Sequence, residues 1–170
     1  MKNYLLFILL VITTLCYPQQ KSITIKWNGS QTLSTESASV VVPSFEKDAF
    51  NFSFEEGLRY STIWKTNGRI DENSVSVSNL VTRAISETEL YQLNRNIIPS
   101  GIELKLRNSS ARGDNYLSVE FHPIIKDNGV FKRVESLSIS YNRSNQPVLR
   151  TTTAIMNSVL DQGEWHKFYV

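Results

Sequence analysis

Polar and apolar residues alternate with a period of two along most of this sequence, which puts them on opposite faces of extended strands. Ile23, Ile25 and Trp27 alternate with Thr24 and Lys26, and Asn28-Gly29 follows as a turn signal. Ser37 to Val42 is rich in β-branched residues and is expected to stop at Pro43. Phe50, Phe52 and Phe54 alternate with Asn51 and Ser53, and Tyr60 to Lys65 forms a further run closed by Asn67-Gly68. Val75 and Val77 interleave with Ser74, Ser76 and Ser78.

One segment departs from this period. Ser86 with Glu89 three positions on has the form of a capping box, and Leu90, Leu93 and Ile97 follow at roughly helical spacing before Pro99-Ser100-Gly101. The pattern predicts one short helix from about Glu87 to Asn94, packed as a plug on a sheet. Strands then resume at Ile102, Leu104 and Leu106. Asn108 to Asn115 reads as a polar loop, and Leu117, Val119 and Phe121 share a face. Asp127-Asn128-Gly129 reads as a tight turn between two strands. Val130 to Val134 and Leu137 to Tyr141 complete the set, with Leu137, Ile139 and Tyr141 facing inward. About eight or nine short strands with one short helix predict an all-β protein, an antiparallel sandwich or barrel.

The ends differ from the middle. Met1-Lys2-Asn3, the apolar run Tyr4 to Ile12 and the switch to Gln19-Gln20 have the three-part form of a secretory signal peptide over residues 1–18. That run is shorter than the ~20 residues a transmembrane helix needs. The β domain is expected over 19–142. Arg143 to Asn157 has the composition of a linker, and 158–170 reads as the start of a following domain. Trp165 to Val170 resembles the first half of a strand, so the sequence reads as the front of a longer protein.

Composition narrows the function. Hydrophobic residues make up 41% and charged residues 20%, the balance of a chain that folds. A net charge of +2 with scattered basic residues gives nucleic acid no patch to bind. Cys16 is the one cysteine, and removal with the signal leaves neither a thiol nucleophile nor a disulfide. Leu15 before it departs from the small residue that lipidation would want. His122 and His166 lie in strand patterns, and no Gly-x-Ser-x-Gly elbow accompanies them. Glu55-Glu56 and Asp71-Glu72 read as solvated turns, since no metal-ligand spacing is present. Arg112-Gly113-Asp114 reads as a loop rather than an adhesion signal. Asn28, Asn51, Asn108 and Asn142 each begin an Asn-x-Ser triplet, which would matter only in a glycosylating host. Trp27, Trp64 and Trp165 read as core residues ahead of a sugar-binding platform.

Several pieces carry a resemblance: Pro123-Ile124-Ile125, Gly129 to Val134, Ser136 to Tyr141, and above all Ser158-Val159-Leu160 followed by Gly163 to Val170. Leu33-Ser34, Pro43-Ser44-Phe45 and Phe54 to Leu58 agree more loosely. In order and spacing these resemble the N-terminal region of the PorU family, the type IX secretion system sortases, gingipain-like cysteine peptidases of Bacteroidota. The resemblance spans nearly the whole mature chain. It implies a position on the outer face of the outer membrane and a catalytic His and Cys in a caspase-like domain downstream. Neither His122 nor His166 corresponds to that histidine, so no catalytic, cofactor or metal residue is assigned within this chain. The implied partners are the downstream peptidase domain and the outer-membrane components of the secretion system. A free-standing secreted β-sandwich that binds a surface glycan or protein is the alternative.

Overall fold

The computed structural model describes residues 18–34 and 39–144. The expected signal peptide, most of the expected linker and the segment 158–170 lie outside these residues, as do Cys16, Trp165 and His166.

The fold is all-β and antiparallel, with ten strands. They are β1 (Gln19–Thr24), β2 (Trp27–Ser34), β3 (Ser39–Phe45), β4 (Phe50–Ser53), β5 (Gly57–Thr66), β6 (Ser76–Ala84), β7 (Lys105–Ala111), β8 (Asp114–Phe121), β9 (Ile124–Asp127) and β10 (Val130–Tyr141). They form three sheets. In the first, β10 is flanked by β6 on one edge and by β1 and then β9 along the other. The second is the β2–β3 pair, and the third has the order β4-β5-β8-β7. Buried residues of all three sheets join in one cluster: Ile23, Val134, Leu137 and Ile139 from the first, Val42 and Phe45 from the second, Leu58, Leu117, Val119 and Phe121 from the third. Each such side chain removed from water contributes roughly 1.5–3 kcal/mol.

Alternation places these residues, and breaks in alternation become bulges. The expected strands Val130–Val134 and Leu137–Tyr141 are one strand, β10, whose register against β6 shifts between Val134 and Ser136 and again between Ser136 and Ser138. The extra residue between Val134 and Ser136 lets Val134 and Leu137 both turn inward although they do not share one period-two phase. Asn28-Gly29 does not reverse the chain: Gly29, at φ +85°, sits at a bulge inside β2. Pro43 does not end β3 but pairs with Ser30 within it, as a two-stranded sheet permits. Asn108–Asn115 is not a loop. It forms the end of β7 and the start of β8, joined by Arg112 and Gly113 at φ +53° and +85°, and its residues are polar because none of them is buried. The Asn128-Gly129 turn is present as expected, with both residues at positive φ between β9 and β10.

The expected helix is replaced by two 3-10 turns, Glu87–Leu90 and Arg95–Ile97. The capping box does form: Ser86 Oγ accepts from the Glu89 amide at 3.3 Å, and Glu89 Oε2 accepts from the Ser86 amide at 2.8 Å. Tyr91 then takes φ +51° and ψ −122°, which stops any helix. The cause is tertiary. Residues 85–104 form a strap across all three sheets. The Ile85 amide donates to Phe131 O, the Gln92 amide to Val41 O, and the Lys126 amide to Pro99 O. Gln92 Oε1 accepts in return from the Val41 amide. A helix would be too short to make these connections, since it rises only ~1.5 Å per residue.

Candidate functional site

Charged side chains gather on the outer face of the β4-β5-β8-β7 sheet. Arg59 of β5 has its side chain on the opposite face from Leu58 and Tyr60, yet it is only 7% exposed. One guanidinium nitrogen donates to Glu120 Oε1 of β8 at 2.8 Å and the other lies 3.3 Å from Glu56 Oε1. Its Nε is buried without a partner. Lys105 of β7 closes the group with a 2.6 Å bond to the same Glu56 oxygen. The Lys105 hydrogen bond and the Arg59 charge hold the Glu56 carboxyl below its ordinary range. Both cations therefore have carboxylate partners, and the group clamps three strands and the turn before β5.

His122 lies beside this clamp, half-buried. Burial pushes its pKa down, and the charges of Arg59 and Lys105 add to that, against a hydrogen bond with the Leu58 backbone and the charge of Glu103. The charged form of the ring is therefore disfavoured beside the clamp. Among the described residues no group of three or more His, Cys, Asp or Glu could hold a metal.

Several other residues singled out in the sequence have structural partners. Asp71 Oδ1 caps the turn Glu72–Ser74 by accepting from the Asn73 amide. Asn108 stands in for a strand partner of the buried Ile70, accepting from its amide and donating to its carbonyl, and it donates to Glu72 as well. Asp114 of the Arg-Gly-Asp tripeptide pairs with Lys65 at 2.8 Å. The Trp27 indole donates to Val134 O, its ring meets Phe45 edge-on, and Arg133 lies over it at 5.5 Å. The Trp64 indole donates to Tyr141 Oη. Both tryptophans are packed against the core, as their strand context implies. Arg59 gives little sign in the sequence; its one local signal is the spacing of three from Glu56.

What remains open is the sheet edges. Among the described residues β6 has no strand partner on its outer side, and it exposes Leu80 (42%) and Val81 (53%). No helix among them is long and apolar enough to cross a membrane.

No family model and no curated protein matches this sequence. Among solved structures the chain is similar to the complex of Porphyromonas gingivalis RgpB pro- and mature domains, at 11% identity and a TM-score of 0.46, over 86% of this chain and 93% of that one. A likeness at that level leaves the function to be argued from the residues themselves.

Proposed function

We propose that this chain is the non-catalytic N-terminal β module of an exported, surface-associated sortase-like peptidase, packing against the catalytic domain that follows it or against outer-membrane partners. The reading is carried by one observation: the open edge at β6, where Leu80 and Val81 face solvent on a strand with one charged residue, Arg83. Exposed apolar strand edges mark contact surfaces, because isolated domains usually blunt them with charge. The engagement of Arg59, Glu56, Trp27 and Trp64 in internal contacts supports the same reading, since these side chains hold sheets together. The residues that resemble the sortase family also include β10, the strand at the centre of the first sheet.

The test is the size of the native product. An antibody raised against residues 20–142, used on outer-membrane fractions, should detect a band much larger than the 19.4 kDa chain. A band at or below that size would overturn the reading and turn attention to a free-standing module that binds a surface glycan or protein.

A further inference from the structure

We infer that the unpaired half of β5 is a docking groove for an extended partner segment that alternates apolar and basic side chains. The inference rests on the accessory-module reading and names the chemistry of one of its contacts.

β5 spans Gly57–Thr66, but β4 pairs with it only from Gly57 to Tyr60. On its other side β8 pairs from Tyr60 to Thr66. Among the described residues, then, the stretch from Ser61 to Thr66 has a strand on one edge and none on the other. At roughly 3.3 Å per residue this stretch is about 20 Å long; the turn Lys47–Ala49 packs beside its start, and the remainder suits a short added strand. A groove of about 500 Å³ lies along it, lined by Tyr60, Ser61, Thr62 and Ile63 of β5 together with Glu46 and Asp48.

Two features select the occupant. Ile63 is 60% exposed, the most exposed of the large hydrophobic residues described, and it stands on the open stretch. An added strand would cover it with an apolar side chain. The groove is acidic: Glu46 and Asp48 line it and no basic residue does. Glu46 is placed by accepting from the Lys26 amide at 2.8 Å. Its charge reaches the strand, since after burial it is the second cause that raises the Tyr60 pKa. Lys65, the nearest basic residue on β5, is paired with Asp114. A Lys or Arg on the incoming strand therefore meets the negative charge of Asp48, which has no ion-pair partner among the described residues, while an acidic strand is repelled. The open edge of β6 lacks this selection, having no acidic residue between Ser76 and Ala84.

The experiment titrates the full chain with a short synthetic peptide alternating valine and lysine, and with its counterpart carrying glutamate in place of lysine. Binding is read by fluorescence anisotropy and located by amide hydrogen exchange. The lysine peptide should bind, slow exchange at Ser61–Thr66 and leave β6 unchanged, while the glutamate peptide should not bind. Asp48→Lys lies on an exposed turn and should weaken binding about tenfold, as loss of a charge pair does; Ile63→Lys should weaken it independently. No binding, equal binding of both peptides, or protection centred elsewhere would overturn the inference. Protection, before any peptide is added, of the amides in 61–66 that point away from β8 would put a second copy or another segment of this chain in the groove, and would overturn it too. A large native product together with failed binding removes only the groove, whereas binding by a short native product removes only the peptidase reading.

Discussion

The Trp64 indole N–H donates to the Tyr141 hydroxyl at 3.0 Å, and this bond joins the β4-β5-β8-β7 sheet to the sheet built on β10. The two rings lie 6.1 Å apart, so the bond adds direction to a contact that packing already makes. Tyr141→Phe keeps the ring and removes the acceptor. Stability should fall by about 1 kcal/mol, the usual worth of a hydrogen bond whose donor stays part-buried. The midpoint of urea unfolding reads this, with the slope unchanged.

The clamp at Arg59 makes a second prediction, about order rather than size. Glu120→Ala leaves a buried guanidinium with one fewer partner and should cost about 2 kcal/mol, below a fully buried pair because Glu120 has solvent access. Arg59→Met removes the buried charge and its unpartnered Nε, and frees two carboxylates that can reach water. It should cost less than Glu120→Ala in the same denaturant series. The reverse order would show the salt bridge, rather than the burial of charge, to be the controlling term.

Gly57 opens β5 at φ +74°, and a Cβ there would lie 2.6 Å from Ile97 Cδ1 of the strap. The end of an isoleucine can move, so the backbone supplies most of the penalty. Gly57→Ala should destabilise by about 1–2 kcal/mol, the cost of an L-residue in that conformation. Ile97→Ala in the same background should fail to restore it, as measured by thermal melting.

Tyr91 offers the opposite case. It holds φ +51° and ψ −122°, a region natural to glycine, while its side chain is 40% exposed. Tyr91→Gly should leave stability unchanged or raise it by up to about 1 kcal/mol, since relief of strain offsets the lost contacts. A clear loss on thermal melting would show that the ring anchors the strap.

Acid should act on His122 in a defined direction. Its folded pKa lies below the unfolded value because burial, Arg59 and Lys105 all disfavour the charged ring, against Glu103 and the Leu58 backbone. The unfolded state therefore binds the extra proton first. Stability is unaffected above the unfolded pKa, near 6.5, and falls as pH drops from there to the folded pKa. His122→Gln should remove that part of the acid loss and leave the loss from Glu56, which comes at lower pH because its folded pKa is depressed. Unfolding midpoints across the acid range read both.

The fold class is legible in the alternation of Leu117, Val119 and Phe121, and of Leu137, Ile139 and Tyr141, because burial of one face imposes period two whatever the neighbours are. The strap is not legible. Leu90 and Leu93 have helical spacing in either conformation, and what prevents the helix is the pairing of Gln92 with Val41 across the fold. Gly29 and Pro43 mislead for the same reason: each is a breaker only until the register around it is known. The open edge of β5 could not be read from the sequence either, because it depends on where β4 stops pairing.

The pairing of β1 with β10 has a kinetic consequence. Gln19 meets Tyr141 and Thr24 meets Ser136, so the first strand described is completed by the last. Closing a loop of almost the whole domain must precede that reward, which raises the contact order and slows folding toward the millisecond-to-second range. A chain synthesised from its N-terminus cannot lock β1 until β10 has appeared, so the sheet built on β10 closes only once nearly all of the described residues have been made.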